Sequence, residues 1–500
     1  MADMEVRRAQ VHTCALRGVE TIPVTVEIEV GPGMPGWQIV GMADASVQES
    51  RLRVRSALRA AGFRAPADRR TVVNLAPASV HKTGSGFDLP IAIAYLVATK
   101  QMDASLVEGT IIVGELALEG SVRAVDGLFA YALCAQSLRM RLLSGIPRAK
   151  FPDLEDVEHL CIDHLSRLRT GSFLTPHFPE ASAGDNHLDF ADVVGQEQAV
   201  RALTIAAAGG LGALLVGPPG SGKSMLARRV TTILPPLSES EKREVALIHS
   251  VAGLDISSIA AGVRPFRSPH HSATVPALVG GGKRLLPGEA SLAHRGVLFL
   301  DELGEFGYSA LQALRQPIED GEILLARADG KVRFPAKFQL LAASNPCPCG
   351  YFGDRTHECT CSQVQLNRYR TKLGGPLKDR IDLICQVNRI DPAKVMKSGQ
   401  GASSSKILSQ VLAARERMAF RGPSRPLTAT TPYQVIEACE LGDKERDLLE
   451  HMARRFDLSG RGIVRVLQVA RTIADLDEKE QVEEGHLYEA LMYRVDNVLE

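Results

Sequence analysis

Residues Gly217-Pro218-Pro219-Gly220-Ser221-Gly222-Lys223-Ser224 have the types and spacing that hold phosphate. Glycines let successive backbone N–H groups converge on one point, and the start of a following helix adds its positive end. A lysine and a hydroxyl then reach the outer phosphates and Mg²⁺. The apolar run Ala213-Leu214-Leu215-Val216 supplies the strand that such a loop must leave, which a chance glycine-rich turn would lack. The segment is therefore expected to bind ATP, with Lys223 on the phosphates and Ser224 on the metal. Downstream, Gly296 to Leu300 is a second apolar strand that ends in Asp301 and Glu302, where open α/β sheets place their ligand crevice. An acidic strand end alone is usually a solvated loop start. Paired with a phosphate loop, it predicts Asp301 holding Mg²⁺ through water and Glu302 polarising the attacking water, because phosphoryl transfer needs mainly positioning and charge neutralisation. A third strand, Phe338 to Ala343, ends in Ser344-Asn345, and Asn345 is placed to orient that water.

Three such strand ends describe an α/β ATPase core of the AAA+ type. The elements that must position them set the wider frame. The chain has 500 residues, too many for one core, so about three domains are expected. Residues 1–175 alternate β-like runs, such as Ile22 to Val30, with helical stretches such as Ser46 to Ala61, and read as a separate α/β unit. A Pro- and Ser-bearing linker, Thr175 to Asn186, precedes the ATPase segment at 188–395. A Ser/Gly-rich stretch, Lys397 to Lys406, leads into an almost wholly helical segment over 404–500, the size of the lid that such ATPases carry. Basic and acidic residues balance at 58 each, so polyanion binding must come from local patches. No apolar run approaches the roughly 20 residues of a membrane span, and Met1 to Arg8 lacks a signal-peptide core, so a cytoplasmic location is expected.

Two arginines are candidates for a γ-phosphate. Arg461 follows Ser459, a plausible helix cap, and is expected to point back at the nucleotide, with Arg465 as its rival. Arg380 in Asp379-Arg380-Ile381-Asp382 follows the third strand and suits a trans-acting arginine finger, unless its flanking aspartates hold it locally. Two insertions look like tools. Between Asp255 and Glu289 there is no acidic residue, while Arg264, Arg267, Lys283 and Arg284 accompany His270, His271 and Gly280-Gly281-Gly282. Further on, Asp329-Gly330 between two β-capable runs is a strong hairpin signal, with Arg327, Lys331 and Arg333 near its tip. A charged hairpin tip is ordinarily just solvated. Two basic elements in one ring ATPase also fit a pore that touches DNA phosphates.

Four of the nine cysteines fall within fifteen residues, as Cys347-Pro348-Cys349 and Cys359-Thr360-Cys361. Four thiolates fit a closed tetrahedral Zn²⁺ site, with His357 as a substitute ligand, although Cys-x-Cys is tighter than the commoner Cys-x-x-Cys spacing. Four reduced cysteines in a loop are the alternative. Cys14, Cys134, Cys161, Cys385 and Cys439 read as packing residues.

Several long motifs carry a family resemblance. The phosphate loop, Arg264 to Thr274 (RPFRSPHHSAT), Pro287 to Gly296, Ser344 to Gly350 (SNPCPCG) and Ala470 to Leu476 resemble the ComM/YifB family of magnesium-chelatase-like AAA+ proteins over nearly the whole chain. The resemblance implies a hexameric, ATP-driven DNA motor for branch migration of recombination intermediates, natural transformation included. It also implies that the Asp329-Gly330 hairpin is the pre-sensor-1 insertion and the basic loop near His270 the helix-2 insertion. The N-terminal segment, through Lys82 to Ala92 and Val113 to Leu118, resembles the Lon-protease domain, a ribosomal S5 domain 2-like fold. Such proteases use a Ser–Lys pair, yet the serine position falls on Gly86 and the lysine position on Phe129, so peptidase activity is not expected. Gly210-Leu211-Gly212 departs from the family's usual Gly-His-Asn. Two other functions stay open: the motor subunit of a magnesium chelatase, and a regulatory unfoldase without peptidase activity.

Overall fold

The computed structural model describes residues 6–65, 69–176, 178, 188–282, 285–327, 330–354, 357–373, 377, 380–390, 401–421 and 431–494. Most of the expected linker at 175–186, all of 397–400, and Lys283 and Arg284 lie outside the described residues. In the N-terminal unit, β1 (Arg7–Arg17) and β2 (Glu20–Gly31) have buried residues on one face and pair antiparallel through a two-residue turn. Gly18 opens that turn at φ +61°, a backbone that side-chain-bearing residues resist. With β3 (Gly36–Val40), β4 (Arg70–Ala76), β5 (Thr110–Val113), β8 (Arg141–Ser144) and β9 (His159–Cys161) they make a seven-stranded mixed sheet, ordered β3-β4-β2-β1-β5-β8-β9. A small hairpin, β6 (Glu115–Leu116) and β7 (Val122–Arg123), stands apart. Helix α1 (Ala45–Ala60) is capped by Asp44, whose carboxylate accepts from Val47 N–H. Helix α2 (Asp88–Ala98) is apolar on all sides and almost entirely buried, as an all-round hydrophobic helix must be.

The ATPase segment opens with α4 (Glu197–Gly209), of which the Ala- and Leu-rich face is buried, followed by β10 (Ala213–Val216) and α5 (Lys223–Arg229). Then come α6 (Glu239–Val251), β11 (Phe266–Arg267), β12 (Val297–Leu300), the hairpin β13 (Glu322–Arg327) and β14 (Gly330–Pro335), β15 (Gln339–Ser344) and β16 (Leu383–Gln386). Five of these strands form one parallel sheet in the order β11-β12-β15-β10-β16. Their near-continuous burial is what a parallel sheet covered on both faces requires. The carboxyl ends of the three central strands β12, β15 and β10 therefore all emerge at the same end of the sheet.

The C-terminal segment is helical, over Ser404–Arg421, Pro432–Cys439, Asp443–Arg455, Gly460–Leu476 and Glu484–Met492. Its core is continuous with that of α4, so Val466, Ala470 and Ile473 share a cluster with Ala202, Ile205 and Ala206. Arg201 on α4 pairs with Glu489 at 2.9 Å and Asp477 at 3.1 Å. The edge strand β16 is closed by this segment, because Ile384 N–H donates to the Tyr493 carbonyl at 2.8 Å. The Arg471 of the Ala470–Leu476 motif is fully buried: it pairs with buried Asp475 at 3.0 Å and donates to the Glu480 carbonyl at 2.6 Å. That motif locks the helices together rather than reaching a ligand.

Helix α3 (Leu128–Leu138) docks the N-terminal unit on α6. Phe129 is wholly buried among Leu237, Val245, Ala246 and Ile256, with its ring 5.4 Å from that of Phe151. Gly127 N–H donates to the Ser250 carbonyl at 2.7 Å and Phe129 N–H to Ser250 Oγ at 3.2 Å. Burying such a ring contributes about 2 kcal/mol to the joint. The position that the Lon comparison assigns to a lysine is thus used for packing between units. Gly86 sits in a buried turn where a Cβ would meet Val113 at 3.2 Å.

Candidate nucleotide site

The phosphate loop is held from below before any ligand enters. Gly217 N–H donates to the Ser344 carbonyl at 3.2 Å, and Val387 N–H to the Val216 carbonyl at 2.7 Å. A Cβ on Gly217 would lie 2.1 Å from the Val387 carbonyl oxygen, so only glycine fits. Gly220 and Gly222 take φ of +77° and +92°, which opens the loop's amides to one side. Lys223 Nζ is held at the loop mouth, donating to the Gly217 and Pro218 carbonyls at 2.7 and 3.0 Å and to Asn345 Oδ1 at 3.3 Å. Burial lowers its ammonium pKa, against the opposing charges of Asp301 and Glu302. Ser224 Oγ donates to Asp301 Oδ2 at 2.6 Å. Two hard oxygen donors thus converge where Mg²⁺ is expected, as that ion prefers.

Glu302 adopts φ +51°, which a non-glycine residue takes only when its surroundings impose it. Its carboxylate meets His271, with Nδ1 3.3 Å from Oε2. Asn345 is fixed from behind by Tyr369, whose hydroxyl donates to the Asn345 carbonyl at 3.2 Å and lies 3.0 Å from Ser344 Oγ. Gln196 Nε2 donates to the Ser221 and Asn388 carbonyls at 3.2 and 2.7 Å, bracing the loop against the strand on its other side. His271, Tyr369 and Gln196 have no motif of their own at this site. Of the three, only His271 falls in a stretch that the sequence singles out, the acid-free basic run between Asp255 and Glu289, and there as a DNA contact rather than a partner of Glu302.

Beyond Asn345 the chain enters the cysteine loop. The sulfurs of Cys347, Cys349, Cys359 and Cys361 all lie within 4.8 Å of one another. Cys347 Sγ is 3.3 Å from that of Cys349 and 3.7 Å from that of Cys359. His357 stands outside this group. Its ring stacks on Tyr351 and its Nδ1 lies 3.0 Å from an Arg389 nitrogen, so the ligand-substitute reading gives way to four sulfurs.

The two arginines sit elsewhere. Gly212 precedes β10, and its N–H donates to Asp382 Oδ2 at 2.8 Å, which puts the Arg380–Asp382 segment at the end of the sheet opposite the phosphate loop. Arg380 pairs with Glu319, not with its flanking Asp382, which instead lies 3.4 Å from Arg465. Burial and the nearby charges of Arg465, Arg315 and Arg461 all push the Arg380 guanidinium pKa down. Arg461, one residue into a helix capped as expected by Ser459, therefore belongs to the Arg380 group. Its helix packs along α4 and carries Arg465 to Asp382, so Arg461 lies near the strand ends opposite the phosphate loop. Leu211, where the family usually has His, is buried at that same far end.

Among the basic residues, Arg264 is committed to Glu241 at 2.9 Å and Arg267 to Glu289 at 2.7 Å. The hairpin that Asp329-Gly330 signals does form, but its register differs from that of an Asp-Gly turn: Gly330 pairs with Arg327 as the first residue of β14, Ala326 lies opposite Lys331 and Leu324 opposite Arg333. Val332 and Phe334 turn inward and are buried, while Lys331 and Arg333 are exposed on the other face. The Arg327 side chain lies outside the described residues.

A family model described as magnesium chelatase, subunit ChlI, matches residues 189–395; related models match 26–144 and, for the C-terminal region, 401–494. Competence protein ComM of Haemophilus influenzae is 42% identical over 499 residues, covering 97% of each chain. YifB of Salmonella typhimurium is 41% identical over 501 residues, covering 98% of each. The chain belongs to the ComM/YifB family. Similarity to the magnesium-chelatase 38 kDa subunit of Cereibacter sphaeroides is weaker, 29% over 174 residues, spanning 31% of this chain and 52% of that one. As a ComM/YifB protein with a magnesium-chelatase-like AAA+ core, it has the framework of an ATP- and Mg²⁺-dependent ATPase. Among the described residues, no helix is long and apolar enough to cross a membrane.

Proposed function

We propose that this protein is an ATP-hydrolysing DNA motor that works as a homo-oligomeric ring, a hexamer, in the cytoplasm and promotes branch migration of recombination intermediates. Gly217 to Ser224 bind the triphosphate, and Ser224 and Asp301 hold Mg²⁺, which neutralises developing phosphate charge. Glu302 accepts a proton from the attacking water and Asn345 orients that water. Arg380 and Arg461 share one end of the sheet, so both are assigned to a neighbouring subunit's nucleotide, where guanidinium charge stabilises the transferring phosphoryl group. Zn²⁺ in the four-sulfur group is structural.

The observation that carries the DNA reading is the two-faced hairpin: Val332 and Phe334 anchor it while Lys331 and Arg333 are left exposed. Arg327, Lys283 and Arg284 are assigned to DNA phosphates as well, on their charge alone. The four cysteines, and the fact that the likeness to a chelatase subunit spans only 31% of this chain, oppose a chelatase motor, and the absence of a Ser–Lys pair at Gly86 and Phe129 opposes a protease. The deciding experiment is the ATPase rate, with ATP and Mg²⁺ throughout, without addition and with forked DNA, four-way junctions or unfolded protein. Stimulation by branched DNA is expected; stimulation by unfolded protein alone would overturn the proposal.

A further inference from the structure

We infer that the Cys347, Cys349, Cys359 and Cys361 group is a zinc site that clamps the ATP site, so that nucleotide turnover depends on the bound metal. This rests on the ATPase reading above and adds a control element to it. The path of the chain is the argument. Cys347 lies two residues beyond Asn345, which holds Lys223, and Gly350 N–H donates to the Cys347 carbonyl at 3.0 Å, turning the chain back. Gly350 takes φ +86°, and a Cβ there would lie 2.7 Å from Pro219 Cδ of the phosphate loop. The first cysteine pair is thus built on a turn pressed against the loop that receives phosphate.

The second pair leads the other way. Cys361 precedes the helix Gln363–Leu373, whose Tyr369 bonds the Asn345 carbonyl and packs so tightly on Gly304 that a Cβ there would sit 2.5 Å from its ring. Gly304 is two residues from Glu302. Four thiolates sharing one cation therefore tie the phosphate-loop side of the site to the hydrolytic side. Amide donors support the sulfurs as metal–thiolate sites require: Phe352 N–H to Cys347 Sγ at 3.3 Å and Cys349 N–H to Cys361 Sγ at 3.4 Å. All four ligands come from one loop, which reduced thiols alone would hold only weakly. Thiolate softness and the compact four-sulfur geometry favour Zn²⁺ over Mg²⁺ or Ca²⁺.

The test measures zinc by elemental analysis and basal ATPase without DNA on the full chain, for wild type, Cys347→Ser/Cys349→Ser and Gly350→Ala. Wild type is expected to hold about one zinc per chain. The double serine variant is expected to lose both metal and turnover. Gly350→Ala is expected to keep its zinc yet lose about tenfold or more in turnover or ATP affinity, because the Cβ pushes the clamp off Pro219. Zinc-free wild type with full turnover overturns the inference, as does Gly350→Ala with zinc and unaltered kinetics. Should the serine variant fail to fold, Gly350→Ala decides alone. Absence of DNA stimulation in zinc-replete protein would sink the motor proposal and leave the clamp intact.

Discussion

His271 Nδ1 lies 3.3 Å from Glu302 Oε2, so the loop between α6 and β12 that carries the paired histidines touches the carboxylate assigned to the attacking water. That loop is the basic, acid-free stretch read as a DNA-facing insertion. The contact gives events on the loop a direct physical route to hydrolysis. His271→Ala is expected to free Glu302, raising basal ATPase several-fold and shrinking the ratio of DNA-stimulated to basal rate. An unchanged ratio in steady-state assays would show that the contact carries no signal.

Glu302 itself is the sharper test of the hydrolytic assignment. Glu302→Gln keeps shape and removes the base, so ATP binding should persist while turnover falls by about 10² or more. Single-turnover measurements separate the two effects, and near-normal turnover would remove Glu302 from the proposed role.

Arg380 and Arg461 lie together at the far end of the sheet, and this makes a statement about subunits. Arg380→Ala and Arg461→Ala should each abolish hydrolysis as pure proteins. Each should regain activity when mixed with Lys223→Ala subunits, because some interfaces then pair an intact nucleotide site with an intact arginine group. Failure to recover at any mixing ratio argues against action in trans.

Lys331 and Arg333 bear on DNA. Reversing both to Glu should leave basal ATPase largely intact while DNA-stimulated ATPase and junction migration fall together. Each lost phosphate contact should also flatten log affinity against log salt by about one unit. Binding across a salt series with a non-hydrolysable ATP analogue measures this; identical slopes would return the hairpin to a solvated surface element.

In the N-terminal unit, His159 hydrogen-bonds Ser144 at 2.8 Å, and burial pushes its imidazole down to about 4 from 6.5. The folded value is the lower one, so this contribution is fully present above about pH 6.5 and is lost as pH falls toward 4. The loss is on the order of 3 kcal/mol. Trp37, the single tryptophan, lies in the same sheet and can follow urea unfolding at pH 7.5 and pH 5. His159→Asn should flatten the pH dependence; an equal acid loss in both proteins would assign it to other groups.

The strands, and the convergence of their polar ends at one end of the sheet, were legible because their signals are local. A fully apolar four-residue run, a glycine loop and an Asp-Gly turn each announce themselves within ten residues. The cap at Ser459 and the helix Ala45–Ala60, expected from Ser46 to Ala61, were legible for the same reason. Contacts across the fold were not. Tyr369 supports Asn345 from 24 residues away, and Gln196 reaches Asn388 from 192 residues away, so no spacing rule connects them. Arg461 shows the limit most clearly. Its helix start is written in the sequence, but which end of the sheet that helix reaches is decided by how its apolar face packs on α4.

The turn at Gly18 has a mechanical meaning. A Cβ there would overlap Val332 at 2.3 Å, so the tip of the β1–β2 hairpin is wedged beneath the basic hairpin of the ATPase segment. Together with the Phe129 joint, this gives the N-terminal unit two points of attachment, one on α6 and one under the proposed DNA-gripping arm. An arm braced in this way cannot swing alone through a power stroke. Either the whole N-terminal unit rides with it, adding its mass and surface to each step, or the brace must part and re-form once per cycle.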